Sequence, residues 1–183
     1  NLFYDGASKD KMSGVMQSFL AGQLRCLPEI LPMFAPTINS YKRLVEGAWA
    51  PTTLTWGFDN RTCALRVLTP SQKATRIEHR VVGSDVNPYL AMAACLASGL
   101  YGIEHKLKLV IPATTGNGYR DIKNGVLPSN LLEASNKMKT SNIANELFGE
   151  TFVDHFTSTR EWEWKQFSAA VTDWEIKRYF EII

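Results

Sequence analysis

Charged and less polar residues alternate along the sequence RIEHRV, and this alternation is the strongest constraint on how the chain folds. Successive side chains of an extended strand point to opposite faces, so Arg76, Glu78 and Arg80 would share one face. The residues between them would face the other way. The pattern therefore predicts a strand from Thr75 to Val82 that directs two guanidiniums and a carboxylate into the same space.

Two further strand candidates precede this segment. Residues Thr52–Trp56 and Thr62–Leu68 are rich in β-branched and apolar side chains, and Gly57–Asn60 between them consists of turn formers. The second run carries Arg66, and Arg61 follows the turn. We therefore expect a hairpin, antiparallel pairing and a sheet face on which several guanidiniums converge.

Helical patterns flank the strand region. Apolar residues recur at helical spacing between Ser8 and Cys26, which predicts an amphipathic helix, and Pro28–Phe34 is expected to add a short helix. Asn87 can cap a further helix with Pro88 at its first position, and small residues after it allow a neighbour to approach closely. The aromatic tail 159–183 is interpreted as core or as a docking surface.

Composition excludes several classes of protein. A chain of 183 residues with 45% hydrophobic and 21% charged residues suits one globular domain. The net charge of +2, without a run of like charges, argues against a nucleic-acid partner. Small residues interrupt the apolar stretch Tyr89–Ile103, so no membrane span is predicted. Cys26, Cys63 and Cys95 are widely separated, which suits reduced thiols in the cytoplasm.

Four motifs resemble, in order and spacing, the C-terminal catalytic region of the glutamine synthetase family. They are Asn39–Val45, Asn60-Arg61 followed by Arg66, Arg76–Arg80 and Asn87–Leu90. The resemblance implies an α+β fold in which helices pack an antiparallel sheet lined by catalytic arginines. It also implies that residues 1–183 form the C-terminal part of a catalytic domain without the N-terminal domain and the upstream half of the metal site. We expect this part alone to be inactive.

The resemblance implies ATP-dependent ligation of the glutamate γ-carboxylate to ammonia or an amine through a γ-glutamyl phosphate. Phosphorylation is needed because a carboxylate oxygen is a poor leaving group. Negative charge gathers in one pocket during both steps, so Mg²⁺ or Mn²⁺ and fixed cationic donors are expected there. Arginine binds carboxylate and phosphate at two points, and glutamate supplies a hard oxygen ligand.

The resemblance also assigns roles to individual residues. Arg43 and Arg80 are the expected catalytic and substrate-binding residues: Arg43 would hold a carboxylate of glutamate, and Arg80 would orient the γ-carboxyl group during transfer. Glu78 would ligate the metal near the nucleotide. Four basic residues would contact or support the nucleotide, namely Arg61, Arg66, Lys73 and Arg76. A plain surface position is the alternative for Lys73, and a solvated salt-bridge ladder is the alternative for the strand charges.

Trp49 departs from the family pattern. Ammonia-using members commonly carry a Glu at this position, and that acid closes over the site and helps bind or deprotonate ammonium. Trp49 cannot accept a proton, although its face can attract an ammonium group or cover an apolar substituent. We therefore expect Trp49 to bind the acceptor, and both ammonia and an organic amine stay open.

Two expectations concern the whole protein. Family members form homo-oligomeric rings with active sites between neighbouring subunits, so a ring is expected for the full-length protein. A noncatalytic structural or assembly member of the same family is the rival interpretation, which the loss of an acid at Trp49 favours and the set of arginines opposes. Tyr119 is the nearest match to a tyrosine that bacterial members modify, but we interpret it as an ordinary loop residue.

Overall fold

The computed structural model describes residues 1–182, in which seven α-helices accompany a small sheet. The helices are α1 (Gly14–Cys26), α2 (Ile38–Arg43), α3 (Pro88–Glu104), α4 (Leu131–Lys139), α5 (Asn142–Phe148), α6 (Glu150–Ala169) and α7 (Asp173–Tyr179). The strands are β1 (Trp56–Phe58), β2 (Leu65–Leu68) and β3 (Arg76–His79). The predicted α+β class is confirmed.

The sheet has the order β1–β2–β3, and its two strand pairs run in different directions. β2 and β3 are antiparallel, which confirms the strand predicted from the charge alternation. β1 and β2 are parallel, so the predicted hairpin is wrong. Gly57 and Phe58, expected in the turn, belong to β1, and the chain turns back only within residues 59–64.

The side chain of Asn60 explains this path. Its Oδ1 accepts hydrogen bonds from the backbone N and the Oγ1 of Thr62, at 3.0 and 2.7 Å. Its amide donates to the carbonyls of Thr114 at 3.2 Å and Gly116 at 2.8 Å. The connection is therefore tied to a distant loop instead of closing as a hairpin turn.

The sheet has one apolar and one charged face. Leu65 and Val67 of β2 are fully buried, whereas Arg66 between them is half-buried. The buried pair and Trp56 pack in one cluster with the apolar face of α1, formed by Met16, Leu20 and Leu24. Because β-strand side chains alternate, the guanidinium of Arg66 lies on the face away from α1.

α1 is shorter than the predicted helix Ser8–Cys26. The Oγ of Ser13 accepts a hydrogen bond from the backbone N of Met16 at 3.1 Å, so Ser13 is the N-cap. Lys11 just before it has a φ of 56°, in the left-handed region, where a helix cannot continue. Local capping therefore overrides the apolar periodicity of the first turns.

Two other helical predictions differ in outcome. Residues Pro28–Phe34 do not form one short helix but contribute to two 3₁₀ helices, Leu27–Glu29 and Leu31–Met33. A third 3₁₀ helix, Gly118–Arg120, lies in the long loop after α3. The start of α3 is confirmed, since the side chain of Asn87 accepts from the backbone N of residue 89 at 3.0 Å and Pro88 is the first helical residue.

The aromatic tail divides into a packed and an exposed part. Trp164 on α6 packs against the main core, whereas Trp162 and Trp174 are both 64% exposed. No residue of α7 is buried. Within residues 1–182, no helix has the length and apolar character needed to cross a bilayer.

Glycines allow α1 and α3 to lie in backbone contact. A Cβ added to Gly22 would lie 2.5 Å from the backbone N of Gly102, and a Cβ added to Gly102 would lie 2.6 Å from the backbone N of Gly22. Both distances are shorter than van der Waals contact. The close approach expected from the small residues of α3 is therefore confirmed.

We predict that Gly22→Ala destabilises the chain, because the added methyl group forces α1 and α3 apart. Overpacking of this kind costs about 1 to 3 kcal/mol in the free energy of unfolding, to be measured by urea denaturation. Gly14→Ala is the matched control on α1, since its Cβ would meet no atom of the described chain within 4 Å. Equal stability of the two variants would contradict the prediction.

Candidate active site

Strands β2 and β3 bring three charged side chains together. Arg66 lies directly opposite Glu78 in the strand register, and Arg80 follows Glu78 on the same face. Nη1 of Arg66 donates to Oε2 of Glu78 at 3.0 Å, and Nη1 of Arg80 donates to Oε1. The carboxylate thus bridges two guanidiniums, and we call these three residues the Glu78 cluster.

The Glu78 cluster is partly buried. The side chains of Arg66 and Arg80 are 13% and 15% exposed, and that of Glu78 is 35% exposed. Burial by itself raises the pKa of Glu78, but hydrogen bonds and charges from Arg80 and Arg66 outweigh it and hold the pKa below its ordinary value. The carboxylate is therefore ionised at neutral pH, in surroundings more enclosed than those of a solvated surface ladder.

Arg80 connects the cluster to two loops. Its Nε donates to the carbonyl of Arg61 at 2.9 Å, and its Nη2 donates to the carbonyl of Trp49 at 2.8 Å. Together with the bond to Glu78, these contacts hold the guanidinium on three sides. The loops that carry Trp49 and Arg61 consequently meet beside the Glu78 cluster.

Asp59 belongs to this site and was missed by the sequence reasoning. Its Oδ1 accepts hydrogen bonds from Nε of Arg66 at 3.0 Å and from Nη2 of the same guanidinium. The hydrogen bond to Asp59 is the main reason why the pKa of Arg66 is raised. An acid immediately before the Asn60-Arg61 motif was the signal that would have found it.

Arg43, at the end of α2, is a half-buried cation that lacks a carboxylate within salt-bridge distance among residues 1–182. Its Nη2 donates to the carbonyl of Val81. Its Nε is shielded from solvent and has no hydrogen-bond partner in the described chain. Burial lowers the pKa of Arg43, nearby Asp85 raises it, and Arg80 lowers it further. This guanidinium has donor capacity that an anionic ligand can satisfy.

An open cavity of about 530 Å³ lies beside Arg61 and Trp49. Its lining consists of Trp49, Phe58–Thr62 and Ala113–Gly116. Trp49 is 63% exposed, and its φ of 55° places the backbone in the left-handed region. Trp49 and Arg61 therefore border the same space.

Lys73 and Arg76 lie apart from the Glu78 cluster. Both are exposed, and Nη1 of Arg76 donates to the carbonyl of Ala74 at 2.8 Å. Arg76 pairs with Leu68 at the end of β3 remote from Arg80. In the part of the chain that the structure describes, neither basic side chain bonds to the cluster.

Glu78 fits one position of a divalent-metal site. Its carboxylate is ionised, and each oxygen has a second lone pair besides the one that accepts from an arginine. Mg²⁺ is commonly bound by one or two carboxylates together with substrate phosphates. Among residues 1–182, no group of three or more His, Cys, Asp and Glu side chains could hold a metal alone. A metal at Glu78 would therefore need further ligands from outside the described residues.

The family model described as glutamine synthetase, catalytic domain, matches residues 1–179. The chain belongs to this family. It is 55% identical to type-1 glutamine synthetase 2 of Dictyostelium discoideum over 100% of the chain and 36% of that protein. It is 48% identical to a gamma-glutamylethanolamide synthetase of Streptomyces coelicolor over 93% of the chain and 36% of that protein. A glutamate–isopropylamine ligase of Pseudomonas sp is 40% identical over 100% of the chain and 40% of its own length.

Solved structures agree with this membership. GmaS in complex with ADP has a TM-score of 0.83 and 32% identity, covering 99% of this chain and 43% of that one. GmaS without ligand has a TM-score of 0.82 and 30% identity. The predicted family and fold are confirmed, and the chain spans about two fifths of the length of these relatives.

His79 and Tyr119 lie outside the Glu78 cluster, and both have polar side-chain atoms that are shielded from solvent. The ring of His79 packs on Phe34 with centroids 4.1 Å apart. Both ring nitrogens are shielded and lack a partner among residues 1–182, and desolvation lowers the pKa of His79 to about 3. His79 is thus a neutral packing residue. The hydroxyl of Tyr119 is likewise shielded from solvent.

We predict that His79 makes the chain acid-sensitive. The unfolded chain binds a proton at His79 near pH 6.5 and the folded chain only near pH 3. Protonation therefore favours the unfolded chain, and the free energy of unfolding decreases as the pH falls between these values. For this one group, the free energy of unfolding changes by at most about 1.4 kcal/mol per pH unit. His79→Phe should flatten urea-denaturation stability across this range, whereas His155→Gln, at an exposed residue, should not. An unchanged slope in His79→Phe would refute the prediction.

Proposed function

We propose that the full-length protein is an ATP-dependent ligase that joins the γ-carboxylate of glutamate to ammonia or an organic amine through a γ-glutamyl phosphate. The Glu78 cluster beside the anion-accepting Arg43 supports this reaction most directly, because it concentrates fixed cations around an ionised carboxylate. Family membership and the activities for which the relatives are named support the reaction class.

Arg43 and Arg80 have different tasks in this proposal. The free donor of Arg43 suits a carboxylate of bound glutamate. Arg80 is held by Glu78 and by two backbone carbonyls, so it needs little rearrangement when negative charge develops on the transferred phosphoryl group. A donor fixed in advance stabilises the transition state better than one that must be recruited.

The remaining basic residues are proposed to bind the nucleotide. Arg61 has access to the 530 Å³ cavity, and Arg66 is held in place by Glu78 and Asp59. Lys73 and Arg76 are exposed at the far end of β3, where they would support the nucleotide from its periphery. Together these four residues would form the phosphate-binding side of the site.

Glu78 would hold Mg²⁺ or Mn²⁺ together with ligands supplied by the nucleotide and by the rest of the protein. When bound, such an ion neutralises phosphate charge and orients the transferred group. Glu78 itself stays ionised because Arg66 and Arg80 lower its pKa. Through Arg80, the same carboxylate also fixes the group proposed to orient glutamate.

Trp49 favours an organic amine over ammonia as the acceptor. Trp49 is largely exposed beside a cavity that is also lined by Phe58 and Asp59. Aromatic faces and a nearby acid attract an ammonium group, and the indole can cover an apolar substituent. The names of two relatives, which specify ethanolamide and isopropylamine chemistry, support this choice.

We further propose a cytoplasmic homo-oligomeric ring. Cys26 and Cys63 are free and buried, and burial raises the pKa of Cys26 to about 12, which suits unreactive thiols. The family resemblance supports a ring in which neighbouring subunits complete each site. A noncatalytic structural member of the family is the second candidate, favoured by the missing acid at position 49.

We predict that Glu78→Gln and Arg80→Ala each reduce glutamate-dependent ATP cleavage by the full-length protein. Loss of one preorganised electrostatic contact typically costs on the order of 10²- to 10³-fold in rate. Glu29→Gln is the control, because it alters a glutamate whose ion-pair partner is Arg25 in the last turn of α1 and not a residue of the Glu78 cluster. Parental turnover in folded Glu78 and Arg80 variants would show that these charges form a solvated salt-bridge ladder instead.

We predict that Trp49→Ala weakens the use of organic amines more than the use of ammonium. A cation–π contact is worth about 0.5 to 2 kcal/mol, which sets the expected loss in kcat/KM. Rates with ammonium, methylamine and a diamine should be compared at saturating glutamate and ATP. Trp162→Ala, at a similarly exposed tryptophan, is the control. A parent that prefers ammonium, with no change of selectivity in Trp49→Ala, would exclude the amine site.

A further inference from the structure

The segment 81–85, which leads from β3 towards α3, is attached to α2 at both of its ends. At its start, the carbonyl of Val81 accepts a hydrogen bond from Nη2 of Arg43. At its end, Oδ2 of Asp85 accepts from Oγ1 of Thr37 at 2.7 Å and from Oγ of Ser40 at 2.6 Å. A single carboxylate oxygen therefore binds both hydroxyls at the start of α2.

The contacts of Asp85 lie on the side of α2 that leads to Arg43. Ser40 and Arg43 are three residues apart and so are neighbours on the helix surface. A Cβ added to Gly83 would collide with Oδ1 of Asp85 and would lie 3.4 Å from Nε of Arg43. The second oxygen of Asp85 and the shielded Nε of Arg43 thus border the same small space, which the absence of a side chain at Gly83 keeps open.

Asp85 and Arg43 carry opposite charges, and each favours the charged form of the other. Burial alone raises the pKa of Asp85, but hydrogen bonds from Ser40 and Thr37 and the charge of Arg43 hold it below the ordinary value. In turn, Asp85 opposes the effects of burial and of Arg80 on Arg43. An ionised Asp85 therefore offsets the repulsion that two neighbouring guanidiniums would otherwise exert on each other.

The start of α2 does not depend on Asp85. Thr37 and Ser40 form a reciprocal capping box, in which the backbone N of Ser40 donates to Oγ1 of Thr37 and the backbone N of Thr37 donates to Oγ of Ser40, both at 3.1 Å. These bonds satisfy two backbone donors at the helix terminus without Asp85. The additional bonds to Asp85 fix where the helix lies relative to segment 81–85.

We infer that Asp85 is a positioning residue, which aligns α2 with segment 81–85 and thereby orients the Arg43 guanidinium towards the substrate carboxylate. This inference rests on the proposed role of Arg43 in binding glutamate. It adds a residue that makes no contact with substrate but acts through one that does. Because segment 81–85 continues directly from Arg80, the same attachment also sets the separation between Arg43 and Arg80.

Kinetics of the full-length protein test this role. Asp85→Ala should raise the KM for glutamate on the order of 10- to 100-fold, because small misplacement of a binding group has large effects, while leaving the KM for ATP unchanged. Asp85→Asn, which keeps an oxygen acceptor for the two hydroxyls, should have a smaller effect. Ser84→Ala, at an exposed neighbouring residue, is the matched control. Equal KM values for Asp85→Ala and Ser84→Ala would overturn the inference.

Two further measurements separate positioning from a general loss of structure. In an Arg43→Lys background, Asp85→Ala should raise the KM for glutamate less than in the parent, because Asp85 acts through the guanidinium. An equal, additive increase would count against the inference. In a crystal structure of full-length Asp85→Ala, Arg43 should leave the Val81 carbonyl. An unmoved Arg43 would overturn the positioning role, whereas a parent without glutamate-dependent turnover would overturn only the proposed function.

Discussion

The ion pairs of Glu78 hold together the candidate active site. One carboxylate binds Arg66 across the β2–β3 pair and Arg80 beyond the end of β3. Arg66 in turn holds Asp59, and Arg80 holds the carbonyls of Trp49 and Arg61. Two loops, the one that carries Trp49 and the one formed by residues 59–64, are therefore fixed against a sheet of only three short strands. Removing the carboxylate would leave the partly buried guanidinium of Arg80 without a close counter-charge and that of Arg66 with Asp59 alone.

The sheet can carry this charge because its other face is strongly apolar. Leu65 and Val67 are buried against α1, and α1 is itself locked to α3 through Gly22 and Gly102. The charged residues contribute little to this packing. The apolar layer supplies the stability, and the opposite face is thereby available for groups whose arrangement serves binding rather than folding.

Features encoded locally were predictable from the sequence, and those encoded by distant contacts were not. The β3 alternation and the Asn87 cap depend on neighbouring residues, so their patterns were sufficient. The path that leads to the parallel β1–β2 pair is fixed by hydrogen bonds from Asn60 to residues 114 and 116. No local sequence pattern predicts these distant contacts. The roles of Asp59 and Asp85 likewise appear only once the fold brings their arginine and hydroxyl partners to them.

Arg43 and His79 show two ways in which the fold accommodates a shielded polar group. His79 has no partner among the described residues and stays neutral, so its burial requires no counter-charge at neutral pH. Arg43 cannot lose its proton at such a pH, so burial leaves a charge that must be compensated. Asp85 compensates it in part without forming a close ion pair. The remaining unsatisfied donor capacity is what makes Arg43, and not His79, suited to bind an anionic substrate.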